Sequence, residues 1–332
     1  MPNAIQTIIS EHTDPFYNLA VEELLREQAL PGELSLYLWQ NSNTVVIGRN
    51  QDVWQECRTD LLRKDGGSLA RRRSGGGAVY HDLGNLNYSF LSATADFNPD
   101  LQYTVVLTAV GKLGFMAVRS GRNDLTVQGR KFSGNAFLHS NGNSCHHGTI
   151  LVNTDFSRMA RYLSVADHKL STHGVASVSS RVVNLCEIYP GITVDDVRQA
   201  MLSAFMEVYA ATHHRISIEE LPPCRIATLK AQFASDKWRF NSRSHTTQSI
   251  KERFSWGSIE IHYQVVSGQI RLVALYSDAL ETDIFDRIAN ILEGTPLTKE
   301  IITEAVSRIA TVEGSQEWQI AYDICELLAG HC

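Results

Sequence analysis

Hydrophobic positions change period several times along this chain, and each change predicts an element. Over residues 14–26, Phe16, Leu19, Ala20 and Leu24 recur at helical spacing, behind Asp14, which can cap, and Pro15, which suits the first turn. Residues 34–47 hold two short apolar runs around Asn41-Ser42-Asn43, the pattern of two strands about a turn. Residues 77–91 alternate loosely and read as a loop followed by a strand; residues 146–153 read as another strand. Thr193 opens a further helix. Asp196 stands where a reciprocal cap needs it, and Val194, Val197, Met201, Phe205 and Val208 line one face.

The pattern breaks at residues 236–251, a polar stretch poor in aliphatics that predicts a boundary loop. Beyond it, residues 258–266 and 269–276 predict a hairpin about Ser267-Gly268, and helical spacing follows over 282–292, 299–309 and 315–328. Strands followed by helices predict a small α+β domain at 246–332 behind a larger one at 1–245. The chain has 332 residues with 43% hydrophobic and 20% charged content, which describes an ordinary globular protein. A net charge of -6 argues against general nucleic-acid binding. No apolar run approaches the ~20 residues that cross a bilayer, and the first sixteen residues lack the basic start and apolar stretch of a signal peptide. Six scattered cysteines without a close pair predict reduced thiols in a cytoplasmic protein. A monomer, bound to neither membrane nor nucleic acid, is the expectation.

Two segments carry candidate chemistry. RRRSGGGAVYHDLGN, residues 71–85, sets Gly75, Gly76 and Gly77 behind three arginines and Ser74. GRNDLTVQGRKFSGNAF, residues 121–137, sets Asn123 and Asp124 before a single lysine, Lys131, between Gly129 and Gly134. Glycines let backbone N–H groups approach an anion, arginine and lysine supply charge for phosphate or carboxylate, and an aspartate can hold Mg2+. Together they suit activation of a carboxylic acid by a nucleotide. The first segment is not a P-loop, because no Lys-Ser/Thr follows the glycines, and it is not a dinucleotide fingerprint. A lysine contacting both carboxylate and α-phosphate would lower an electrostatic barrier. By spacing alone, Lys131 also fits a solvated turn and Asn123-Asp124 a capped one, and the residues do not decide. His146 and His147 cannot grip one ion, because adjacent strand residues point to opposite faces.

These segments resemble the lipoate–protein ligases, in particular the two-domain bacterial type. The resemblance runs through DPFYNLAVEELL (14–25), IGRNQ (47–51), both segments above, HHGTILVNTDFSRMARYL (146–163), SRVVNLCEIYPGIT (180–193) and RFSWGSIEIHY (253–263), nearly the whole chain. It implies an α+β fold shared with biotin ligases and class II tRNA synthetases: a mixed sheet flanked by helices, plus the small α+β C-terminal domain. It implies that Arg72, Ser74, Gly75, Gly76, Gly77, Ala78, Val79, Tyr80, Asn123, Asp124 and Lys131 contact ATP or lipoyl-AMP, with Ser177 and Arg181 in a covering loop over 177–184. Lys131 would be catalytic, Asp124 would hold Mg2+, and Glu22, Arg72, Gly77 and His147 would wall the lipoate pocket. Some family members carry a longer insert between the Asn-Asp pair and the lysine; here only residues 125–130 intervene.

The implied reaction makes lipoyl-AMP from ATP and lipoate, then passes the lipoyl group to a lysine of a lipoyl domain. The implied partners are the E2 subunits of 2-oxoacid dehydrogenases and the glycine cleavage H protein, with octanoate as a second acid. The rivals are a lipoyl or octanoyl transferase without the adenylation step, and a non-catalytic scaffold that binds lipoyl domains. Octanoyltransferases carry a nucleophilic cysteine in a Pro-Cys-Gly segment, where this chain has Thr172-His173-Gly174. A scaffold should have lost Lys131 or a loop glycine, and neither is lost.

Overall fold

The computed structural model describes residues 1–164, 181–240, 248–309 and 312–330. The chain forms two compact units. The first comprises Met1–Ile47, Val53–Arg72 and Ala78–Arg239; the second comprises Phe240–Cys332 with the short segments Gly48–Asp52 and Arg73–Gly77.

The first unit is built on eight strands: β1 (Ala4–Ile9), β2 (Glu33–Trp39), β6 (Asn85–Ala93), β7 (Ala117–Ser120), β8 (Asp124–Val127), β9 (Arg130–Ser140), β10 (Asn143–Leu151) and β11 (Thr212–Arg215). Their order across the sheet is β11-β1-β2-β6-β10-β9-β8-β7. β1 runs parallel to β11 and β2, and every other pairing is antiparallel, so the sheet is mixed. The parallel pair β1 and β2 is joined by α1 (Pro15–Glu27), whose N-cap Asp14 accepts from Phe16 N–H at 2.9 Å. A smaller sheet, β4-β3-β5, joins β3 (Thr44–Ile47), β4 (Ser68–Arg71) and β5 (Val79–His81). The two runs in residues 34–47 are thus strands of different sheets rather than a paired hairpin.

Period-two alternation divides this core. Leu34, Leu36 and Leu38 of β2 pack with α4 (Pro99–Lys112) and α7 (Val194–Tyr209) through Val106, Ala109, Met201 and Phe205. Tyr37 and Trp39 of the same strand face α1 and α8 (Pro223–Ala234) through Leu24, Leu229 and Phe233. The helix expected after Thr193 forms with its reciprocal cap to Asp196. Among the described residues the remaining helices are short: α2 (Val53–Glu56), α3 (Thr59–Lys64), α5 (Phe156–Tyr162), α6 (Leu185–Ile188) and α9 (Asp236–Phe240).

The second unit packs an antiparallel sheet, β12 (Gln248–Phe254), β13 (Gly257–Val266) and β14 (Gln269–Ser277), against α10 (Asp283–Leu292), α11 (Lys299–Ser307) and α12 (Gln316–Ala329). Ser267 and Gly268 both take positive φ, +52° and +77°, as the tight turn of the expected hairpin requires. The polar stretch 236–251 is not one loop: it contains α9 and the start of β12, and 241–247 lie outside the described residues. β12 is an edge strand on which Ile250 is buried and Phe254 half-buried, so its composition looks like a loop. Among the described residues no helix is long and apolar enough to cross a membrane.

The glycine segment packs inside this second unit. Gly76, at φ +86°, donates its N–H to the Ala279 carbonyl at 2.9 Å, and Asn50 reaches Thr282 O at 3.0 Å. Gly75 has no room for a side chain: a Cβ there would press on the Ala279 carbonyl oxygen and lie 2.6 Å from that of Leu280. A Cβ added at Gly77 would have no neighbour within 4 Å. Gly75→Ala is therefore expected to destabilise the protein by about 1–3 kcal/mol, as overpacking does, while Gly77→Ala leaves the unfolding midpoint within error; thermal or denaturant unfolding of both variants checks this.

Candidate active site

The register of β10 places the candidate residues of the first unit. His147 stands opposite Ser89 of β6 and Ala136 of β9, on the face covered by α1; His146 stands opposite Phe90 and Phe137, on the other face. The two histidines therefore part company, as adjacent strand residues must.

On the α1 face a buried polar cluster forms. His147 donates from Nδ1 to Glu22 Oε1 at 2.9 Å, and Ser89 Oγ donates to the same oxygen at 2.5 Å. Trp39 Nε1 donates to Ser89 Oγ at 3.1 Å. Burial alone would raise the Glu22 carboxyl, but His147, the Ser89 hydrogen bond and the Arg72 charge together hold it below the ordinary glutamate range. Arg72, buried at 6% exposure, is pushed down to about 10 by burial, partly offset by Glu22, so it stays charged at neutral pH. It donates to Val46 O at 3.2 Å. Burial, with help from Arg72 and His147, pushes His81 down to about 3. Its Nδ1 meets Asn41 Nδ2 at 3.2 Å, so the proton sits on Nε2, which is buried and has no hydrogen-bond partner among the described residues.

Glu22, Cys145 and His147 also form the one group among the described residues with three potential metal donors within 4.8 Å. Burial keeps the Cys145 thiol protonated, and Glu22 is already engaged by His147 and Ser89. That set reads as a self-satisfied hydrogen-bonded cluster.

A second cluster forms toward the β7 end of the sheet. Lys131 Nζ lies 2.7 Å from Asp124 Oδ1, with both side chains about one-third exposed. The side chain of Lys131 lies over Gly134, where a Cβ would stand 2.8 Å from Nζ. Asn123 is tied to β9: its carbonyl accepts from Asn135 N–H at 2.9 Å and Asn135 Nδ2 at 3.0 Å. Arg181 arrives beside Lys131 by backbone, its carbonyl accepting Lys131 N–H at 2.9 Å, and Val183 N–H returns the bond to Lys131 O at 2.9 Å.

The other described candidates belong to one unit or the other. Ser74, Gly75 and Gly76 are buried in the second unit, and Gly77 there is exposed. In the first unit Ala78 and Val79 are half-buried, and Tyr80 is buried, its hydroxyl bonding Asn43 at 3.1 Å and its ring packing on Tyr162. Ser177 and the segment Thr172-His173-Gly174 lie outside the described residues. Sequence reasoning missed His81, Ser89 and Trp39. The only available signal was period two: Ser89 and His147 are cross-strand partners, which no single segment reveals.

Because the Glu22 pKa is depressed on folding, its contribution to stability is present above the ordinary glutamate value and lost as pH falls through the folded one. Glu22→Gln should thus cost stability at pH 7 but lose this disadvantage progressively below about pH 4; unfolding midpoints of both proteins from about pH 2.5 to about pH 7, a range that brackets that value, measure it. A pH-independent difference would contradict the ion-pair account.

The geometry can be set beside known proteins. The family model described as Lipoyl protein ligase A/B catalytic domain matches residues 14–206, and that described as Bacterial lipoate protein ligase C-terminus matches residues 245–327. P. falciparum LipL1, solved in complex with lipoate, is 26% identical with a TM-score of 0.84, over 98% of this chain and 99% of that one. A bi-partite lipoate protein ligase from Thermoplasma acidophilum, analysed with its E2 lipoyl domain, is 25% identical with a TM-score of 0.63, over 75% of this chain and 100% of that one. A lipoate-protein ligase A bound with ATP shares the fold at 24% identity and a TM-score of 0.61, over 72% of this chain and 99% of its own. With a family match across more than half its length and a second match over its C-terminal unit, the chain belongs to the lipoyl protein ligase A/B catalytic-domain family and carries the bacterial lipoate protein ligase C-terminus.

Proposed function

We propose that this protein is an ATP-dependent lipoate–protein ligase that makes lipoyl-AMP and passes the lipoyl group to a lysine of lipoyl domains. The observation that carries this reading is the Lys131–Asp124 pair at 2.7 Å, because one ammonium beside one accessible carboxylate suits two anions meeting around a metal. In the first step a lipoate carboxylate oxygen attacks the α-phosphorus of ATP and pyrophosphate leaves. Lys131 neutralises the approaching carboxylate and α-phosphate, and Arg72 adds a fixed positive charge whose own burial Glu22 compensates. In the second step the neutral amine of an acceptor lysine attacks the acyl carbonyl, AMP leaves and the amine's proton passes to solvent. Lys131 would polarise that carbonyl.

Mg2+ fits the donor set. Asp124 offers a single part-exposed carboxylate, and magnesium takes one or two carboxylates with phosphate oxygens. When bound it would neutralise phosphate charge; Asp124 would turn from Lys131 to hold it, with Asn123 beside it. The family resemblance supports the remaining contacts: Ser74, Gly75, Gly76, Gly77, Ala78, Val79, Tyr80, Ser177 and Arg181 toward ATP or lipoyl-AMP, and Glu22, Arg72, Gly77 and His147 toward lipoate. His81 joins the second set, its Nε2–H, without a partner among the described residues, matching an acceptor on the acid. An eight-carbon tail gains roughly 4–6 kcal/mol at ~0.8 kcal/mol per buried CH₂, short of the ~8 kcal/mol of micromolar affinity, so the carboxylate contacts must supply the rest. Octanoate should then compete, because few-atom differences in an apolar site discriminate by only ~10- to 200-fold. The acceptors in this reading are E2 subunits and the H protein, and the enzyme acts as a cytoplasmic monomer.

Lipoate-dependent ATP–pyrophosphate exchange tests the reading. Wild type should exchange, and Lys131→Ala should lose ~100- to 1000-fold, the usual cost of one such electrostatic contact. Absence of exchange in wild type, with transfer from supplied lipoyl-AMP intact, would make the protein a transferase instead.

A further inference from the structure

On the face of β10 opposite the Glu22 cluster, His146 is fully buried among Tyr88, Phe90, Tyr103 and Phe137, with ring centroids 4.6–6.0 Å away. Packing alone would be served by an apolar ring, since a buried imidazole costs desolvation unless both nitrogens are satisfied. Both have a partner: Nε2 lies 2.8 Å from Asn135 Oδ1 and Nδ1 lies 2.9 Å from Gln102 Oε1. Burial, with the charges of His147 and Arg119, holds the ring neutral. A neutral ring carries one proton; placed on Nε2 it donates to Asn135 Oδ1, and Nδ1 becomes an acceptor, which calls for the Gln102 amide turned over so that its nitrogen replaces Oε1 there.

This proton has a consequence for Asn135. Its Oδ1 accepts from both His146 and the Tyr88 hydroxyl, so its amide nitrogen must face the other way, where it donates to Asn123 O at 3.0 Å. The Asn135 backbone N–H reaches the same carbonyl at 2.9 Å, and the Asn123 side chain donates back to Asn135 O. Turning the Asn135 amide over would set two oxygens against each other at Asn123. Gly148 keeps this arrangement compact: a Cβ there would stand 2.8 Å from Asn135 Oδ1 and press on the Tyr88 hydroxyl. The next residue after the gripped Asn123 is Asp124, the partner of Lys131.

We propose that His146, Gln102, Tyr88 and Asn135 are positioning residues that hold the Asn123–Asp124 turn in register with Lys131 and so set the affinity for metal-bound nucleotide in the first half-reaction. The proposal rests on the adenylation reading above. None of the four touches the reacting atoms; they act through Asn123. A displacement of about 1 Å at such a site can cost on the order of 100-fold.

The test uses the full-length protein and separates the two half-reactions. Asn135→Asp keeps an acceptor for His146 and Tyr88 but puts a second oxygen against the Asn123 carbonyl. His146→Phe keeps the packing and removes the donor that fixes Asn135, so it serves where the first variant folds poorly. For each, KM for Mg·ATP is measured in lipoate-dependent ATP–pyrophosphate exchange, and transfer to a lipoyl domain is measured from presynthesised lipoyl-AMP. The expected result is a KM raised at least ~10-fold with transfer within ~2-fold of wild type, since the ~100-fold bound applies to full misplacement. An unchanged KM in both variants, or equal losses in both half-reactions tracking a lowered unfolding midpoint, would overturn it. Wild type that performs no exchange at all would overturn the adenylation reading itself, a failure visible before any variant is made.

Discussion

β10 is hydrogen-bonded along both edges, to β6 and to β9, and its residues contact packed layers on both faces. Its register is therefore fixed twice over, and a slip of one residue would exchange His146 with His147. With the register as it stands, one histidine meets Glu22 and Ser89 while the other meets Gln102 and Asn135. The polar clusters of the first unit, on opposite sides of one strand, both depend on this alignment.

Each cluster solves the problem of buried polarity in its own way. On the α1 side, net charge is balanced: Glu22 stays ionised against burial because His147, Ser89 and Arg72 favour its charged form. On the far side, charge is avoided and neutral groups are matched donor to acceptor through Tyr88, His146 and Asn135. The first arrangement suits contact with an anionic substrate, the second the rigid support of groups that make such contact. Lys131 and Asp124 pair with each other and are more exposed than either cluster.

Glycine does different work at different places. At 75 it admits the backbone of the second unit's own Ala279–Leu280 segment, and at 76 it supplies the positive φ that aims an N–H at Ala279. At 134 it leaves room for the Lys131 ammonium, and at 148 for the Tyr88 hydroxyl and Asn135 amide. Composition shows all four as the same residue; the neighbours that require those at 75, 76 and 148 come from elsewhere in the chain, and that of Gly134 from its own strand.

Whatever depends on local spacing could be read directly from the chain. The capped helix after Asp14, the box between Thr193 and Asp196, the positive-φ turn at Ser267-Gly268 and the opposed histidines all follow from periods and caps within a few residues. The family was legible too, because its motifs are contiguous. Tertiary structure alone decided which strands became neighbours, that residues 34–47 feed two sheets, and that the polar run 236–251 hides a helix and an edge strand. It alone joined Glu22 to His147 across 125 positions and His146 to Gln102 across 44. Such pairs leave no trace in local periodicity, since each partner satisfies its own element's pattern and only the sheet's register brings them within hydrogen-bond reach.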